Sequence, residues 1–163
     1  VPRRIADVII VAALAAIYVV AARLGLALDA VAGFATLVWA PTGISLAAIL
    51  LVGYRVWPGV FLGALIANLL AGAPVGAAVG IGVGNTSEAL LGAFLLRRLA
   101  GFDTALDSVR DALALIVLAS IGSTLVSASI GVASLHFGGV ISTAQLYETW
   151  RAWWVGDMMG ALL

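Results

Sequence analysis

Two acidic residues, Glu88 and Asp157, stand inside long apolar stretches of this sequence. A carboxylate within a membrane span costs on the order of 3 kcal/mol on insertion scales, so its retention points to work done there. Asn85 and Ser87 flank Glu88, and Asn68 on the preceding helix is a further candidate partner for it. Asp157 follows Trp153 by one helical turn, with Trp150 and Trp154 beside it and Gly156 and Gly160 on either side. Two readings stand for each carboxylate. As a buried pair they bind a proton, a cation or the amine of a ligand; as single groups they glue helices together through hydrogen bonds. The chain has one histidine, His136 in a glycine-flanked loop, and no cysteine. Catalytic triads, thiolate metal sites and disulfides are thereby excluded. The glycines between Gly80 and Gly84 form no phosphate loop, because no strand precedes them and no lysine follows. The expectation is a protein that is not an enzyme, and no cofactor is named by these residues.

A second candidate is the run Trp39-Ala40-Pro41-Thr42-Gly43. It falls in the middle of a stretch, from Ala30 to Tyr54, otherwise long enough for one full helix. Proline lacks the backbone donor and crowds the preceding turn. The 14 residues 41–54 reach only about 21 Å as a helix, short of a bilayer crossing. The expected element is therefore broken, with irregular backbone over 34–39 and a half-helix starting near Pro41. Irregular backbone at membrane depth survives where protein or a wet cavity covers it. A half-helix N-terminus offers free N–H groups and a positive dipole end to a ligand. The alternative is a kinked helix that binds nothing.

The elements that must carry these groups follow from composition. Of 163 residues, 64% are hydrophobic and 10% charged, with a mean hydropathy of +1.20. Soluble domains need far more polar surface. Apolar runs approach or exceed the roughly 20 residues of a membrane helix, and they recur along the whole chain without a two-residue alternation that would suggest strands. The sequence predicts an all-α, polytopic transmembrane bundle of about six helices, over 4–27, 41–54, 57–72, 74–98, 108–134 and 143–163, in a single membrane domain, 1–163. The first run is too long for a signal-peptide core. The start at Val1 and the stop at Leu163 inside an apolar run suggest a piece of a longer protein. A net charge of zero gives no footprint for nucleic acid. With the N-terminus in the cytoplasm, Arg3, Arg4, Arg55, Arg97, Arg98 and Arg110 lie on the cytoplasmic side and only Arg23 and Arg151 opposite, six against two.

Small residues order the interior. Gly76, Gly80, Gly84, Glu88 and Gly92 recur every four residues, and Ser120, Thr124, Ser127, Gly131 and Ser134 make a similar stripe on the fifth helix. Such faces let helices approach closely. Glu88 and Asp157 each fall about 14 residues from the outer ends of their helices, which sets them at similar depth. Tyr54 and Trp57 read as interfacial aromatics, Arg55 as a snorkelling residue, and Glu148 and Arg151 as a surface ion pair.

The stretch LVWAPTGISLAAILLVGYRVWPGVFLGALIANLLAG, followed in order by GNTSEALLGAFLLRRL, FD, VRDAL, STLVSASIGVASL and WWVGDMMGALL, resembles the first class of membrane-associated sensor domains, the MASE family. The likeness runs from about residue 34 to the end. Its specific parts are Trp-x-Pro-Thr-Gly and Trp-Trp-x-Gly-Asp. The resemblance implies a bacterial inner-membrane input domain, usually of about eight helices, placed before a histidine kinase or a cyclic-di-GMP module. The positions that match the family pattern are Trp39, Pro41, Thr42, Gly43, Asn68, Asn85, Glu88, Trp153, Trp154, Gly156 and Asp157. All of these except Gly156 are the candidate ligand-binding residues.

Three functions follow in rank. The first is an input domain that senses a ligand or membrane state in a cavity lined by the Trp39–Gly43 break, Glu88 and Asp157, and shifts its last helix, with sliding at the glycine-lined packing of helices four and six. The second is a structural subunit of a larger membrane complex. The third is a solute-binding transport component, supported by the broken helix alone. The implied partners are the lipid bilayer, a cytoplasmic signalling module or other membrane subunits; the sequence also admits a homodimer.

Overall fold

The computed structural model of the protein describes residues 3–28 and 32–163. Ala30, the expected start of the interrupted span, lies outside the described residues. The described residues form six helices: α1 (Arg3–Leu28), α2 (Ala40–Val52), α3 (Trp57–Leu70), α4 (Val75–Ala100), α5 (Val109–Phe137) and α6 (Leu146–Ala161). By length and composition α1, α4 and α5 suffice to cross a membrane, and α2 and α3 are shorter apolar helices. Short 3-10 turns lead into α3 (Tyr54–Val56) and α6 (Thr143–Gln145). The expected helices agree with these bounds to within a few residues.

The surface is inverted relative to a soluble protein. Val8, Leu51, Val75 and Leu24 are exposed, whereas Ser45, Ser120, Thr124, Ser127, Thr149 and Asp157 are buried. Lipid solvates the aliphatic exterior, and polar side chains find partners only inside, so this is a membrane domain.

Proline and glycine set the break. The backbone over 34–39 is not helical, and α2 begins at Ala40 with Pro41 in its first turn, where no intrahelical N–H is required. Its far end stops at Gly53, whose φ of +108° only glycine adopts without strain. The irregular segment is held by α6. The Trp39 N–H donates to Gly156 O at 2.9 Å. A Cβ on Gly156 would collide with the Thr36 carbonyl, and one on Gly160 with the Trp39 carbonyl. The two glycines thus form a notch into which the broken backbone lies.

The glycine stripe of α4 packs on α5. Added Cβ atoms would meet Ser134 at Gly80, Ile130 at Gly84 and Ser123 at Gly92, while Gly76 faces open space. The expected sliding surface between the fourth and sixth helices is corrected here. The glycines of α4 seat α5, and those of α6 seat the interrupted segment. A third close seam joins α3 to α1, with Gly59 against Val11 and Leu14 and Gly63 against the Tyr18 ring.

Two helices depart from α pitch. The last turn of α4 (Leu96–Ala100) and the stretch Leu115–Ser123 within α5 are π-helical. Ser120 and Ser123 in that stretch are buried; Ser120 Oγ crosses to Met158 O of α6 at 2.9 Å, and Ser123 Oγ donates to Ala119 O at 2.8 Å.

The arginine-rich end of the bundle is tied together. Arg55 pairs with Asp7 at 3.3 Å, and Arg97 donates to Leu50 O at 2.7 Å and Ile49 O at 3.2 Å while lying over the Tyr54 ring. Tyr54 and Trp57 stay exposed, as interfacial aromatics would. The expected Glu148–Arg151 pair does not form; Arg151 lies over the Tyr147 ring instead, and Arg55–Asp7 is the one ion pair among the described residues. At the same end Ser108 caps α5, accepting from the Asp111 N–H at 3.1 Å and donating to its carboxylate at 2.5 Å. Ser108→Ala is expected to cost about 1 kcal/mol, read as a lowered unfolding midpoint; an unchanged midpoint would show that the cap adds nothing.

Candidate functional site

Five helices bring polar side chains to one buried place. From α6 comes Asp157, fully buried, and from α4 comes Glu88, 2% exposed. They lie beside each other, with Thr42 of α2 and Ser127 of α5 against both. Their common depth, expected from the helix lengths, becomes direct adjacency because α2 and α5 close the space between α4 and α6.

The hydroxyl hydrogens of Thr42 and Ser127 are already committed. Thr42 Oγ1 donates to Asp157 Oδ1 at 3.1 Å. Ser127 Oγ donates to Asn85 Oδ1 at 2.7 Å and accepts from Trp153 Nε1 at 3.1 Å. Asn85 Nδ2 in turn donates to the Tyr18 hydroxyl of α1 at 2.6 Å. A hydroxyl has one hydrogen to give, so neither Thr42 nor Ser127 has one left for Glu88. Both oxygens of Glu88 and Oδ2 of Asp157 accordingly have no hydrogen-bond partner.

The packing around the cluster is close. Trp39 is buried with its ring edge-on to Tyr18, centroids 6.5 Å apart. Trp153 covers Gly131, where a Cβ would run into its ring. Pro41 is buried, and Gly43 lies against the Gly160 carbonyl. The opening expected around the carboxylates is therefore closed: the glycine notches bring backbone and ring atoms into the space. A cavity of about 170 Å³ does lie close by, between α2, the 102–106 loop and the end of α6, but its walls are apolar except for Thr104, with Leu46, Leu50, Phe102, Leu115 and Ala161 among them.

Of the sequence candidates, Trp39, Pro41, Thr42, Gly43, Asn85, Glu88, Trp153 and Asp157 come together in or around this cluster. Two do not. Asn68 turns back to its own helix, donating to Ala64 O at 2.9 Å, and gives Glu88 no bond. Trp154 stays at the outer side of α6, its Nε1 on Ile121 O at 3.2 Å and its ring beside Trp150. His136 closes the end of α5, its Nδ1 3.2 Å from Ile141 O. Tyr18 was not among the expected residues; its signal is a hydroxyl placed mid-span in an otherwise aliphatic helix. Ser127 showed only as one member of a small-residue stripe.

The arrangement gathers two buried carboxylates, with three oxygens free of hydrogen-bond partners, among the hydroxyls of Thr42 and Ser127. Among the described residues there is no group of three or more His, Cys, Asp or Glu able to hold a metal ion. The MASE1 family model matches residues 10–163. No curated protein and no solved structure matches.

Proposed function

The chain belongs to the MASE1 family, and from that we propose that it senses a small ligand or the state of the membrane at the Glu88–Asp157 cluster and passes the response through α6 to a cytoplasmic module. MASE1 domains are membrane sensory input domains of signalling proteins rather than catalysts. The module is a histidine kinase or a cyclic-di-GMP enzyme, the membrane is the bacterial inner membrane, and the N-terminus is cytoplasmic. The arginine distribution supports that orientation, since the ends of α1, α2 and α4 gather their arginines on one side.

One observation carries the reading: three partnerless carboxylate oxygens at the junction of five helices. An uncompensated buried acceptor costs stability, so whatever supplies the missing positive partner shifts the balance between packings. Asp157 sits on the last helix, beside the notch that holds the interrupted segment. A change at the carboxylates is thereby felt by α2 and α6 together.

The test uses the full-length protein in inner-membrane vesicles, with the output module's product as readout. Glu88→Gln and Asp157→Asn are each expected to move the output at least about fivefold, in the same direction. Output within about twofold of the unsubstituted protein for both, with both folded, would falsify the assignment.

A further inference from the structure

We infer that the Glu88–Asp157 cluster is a binding site for a small alkali cation, sodium in size, a reading that rests on the sensing site proposed above and names its ligand. The ligand set is oxygen throughout. Glu88 contributes both carboxylate oxygens and Asp157 its Oδ2, all three buried without partners. Thr42 Oγ1 donates to Asp157 Oδ1 and keeps its lone pairs; Ser127 Oγ, which accepts from Trp153, keeps one. Hard cations take carboxylate and hydroxyl oxygens, whereas softer metals favour nitrogen and sulfur.

Counting acceptors separates the ion from a lone hydrogen. One hydrogen sits on one carboxylate oxygen and bonds a second, leaving the third of the partnerless set uncompensated. A single cation draws in all three together with the hydroxyls and neutralises one of the two carboxylate charges, the other being balanced by a hydrogen that the pair retains. An organic ammonium is disfavoured by space: Gly156 and Gly160 lie against the Thr36 and Trp39 carbonyls, and Trp153 lies over Gly131. Closure that tight suits a bare ion of small radius. Among the described residues no arginine bonds these oxygens, and the two nearest the α2 end are engaged elsewhere, Arg55 with Asp7 and Arg97 on the Ile49 and Leu50 carbonyls. The break before α2 also belongs to the pattern in which unwound backbone sits beside an ion within the bilayer.

The experiment follows thermal unfolding of the full-length protein in nanodiscs at fixed pH while sodium chloride replaces choline chloride at constant ionic strength. The expected result is a saturable rise of about 5 °C in the midpoint, with potassium chloride much weaker. Glu88→Gln and Asp157→Asn should lose the rise, and Asn68→Ser should keep it. The comparison of salts on the unsubstituted protein stands even where a variant does not fold. Superimposed sodium and choline curves overturn the ion, as does a midpoint that follows pH and ignores sodium, which would assign a shared hydrogen. Output measured in parallel separates the two readings. Output that responds to Glu88→Gln and Asp157→Asn but not to sodium removes the ion and leaves the sensing site. A sodium-dependent midpoint with indifferent output supports the ion and removes the sensing role.

Discussion

Gly156→Ala is expected to lower the unfolding midpoint by about 6 °C or more, the consequence of roughly 3 kcal/mol of overpacking. The new methyl group would meet the Thr36 carbonyl, which is backbone and has no rotamer to retreat into. To admit it, the 34–39 segment must lift from α6. That strains the Trp39 N–H bond to Gly156 O and moves Thr42 away from Asp157. Gly76→Ala is the matched control. Gly76 lies in the first turn of α4 with nothing nearby, so alanine there should be tolerated, with a change of about 0.5 kcal/mol or less in the stabilising direction. Thermal unfolding of both variants in the same detergent decides the matter. If the two midpoints move together, the notch is not what holds the broken segment.

The second large effect is expected at Asn85. Its amide joins three helices, donating to Tyr18 of α1 and accepting from Ser127 of α5. Asn85→Leu keeps approximate volume but takes the amide from two buried hydroxyls; the Ser127 hydrogen can turn to Glu88, whereas the link to Tyr18 is lost, at a cost of about 2 kcal/mol. Asn68→Leu removes a bond made within α3 alone. Its cost should stay near the roughly 0.6 kcal/mol average of a hydrogen bond inside a membrane protein. Unfolding equilibria in mixed micelles can resolve a difference of that size. Equal losses at the two asparagines would mean that the interhelical network is no stronger than a local one. The Tyr18→Phe and Asn85→Leu double variant adds a check, because residues sharing a bond should not be additive.

Much of the architecture was legible because apolar runs of membrane length admit few interpretations, and Pro41 marks its own break. The face of each helix was legible too: four-residue spacing put Gly80, Gly84 and Glu88 on one stripe, and the structure keeps them there. Which neighbour that stripe meets was not. Periodicity defines a direction around one helix axis and says nothing about the order of helices in a bundle. Hence α4 was matched with α6, although α5 fills that place. The same gap explains Asn68, whose depth and polarity suited Glu88 but whose side chain returns to the Ala64 carbonyl. Tyr18 was missed because one aromatic in an aliphatic span has no periodic companion. The Glu148–Arg151 spacing permitted a pair, but at an exposed end the guanidinium prefers the face of the Tyr147 ring. The π-helical turns left no trace in the apolar pattern, since Leu115–Ser123 reads as helix either way.

The short helix α2 is fastened at both ends to different neighbours. Its N-terminal turn is pinned to α6 through Trp39, Thr42 and Gly43, and its last carbonyls are gripped by Arg97 of α4. Thirteen residues of uninterrupted helix, about 20 Å long, behave as a stiff strut on this scale. A strut with two bearings transmits displacement instead of absorbing it. A shift at the carboxylates that moves the first turn of α2 would thus be carried along the helix toward the arginine-rich rim.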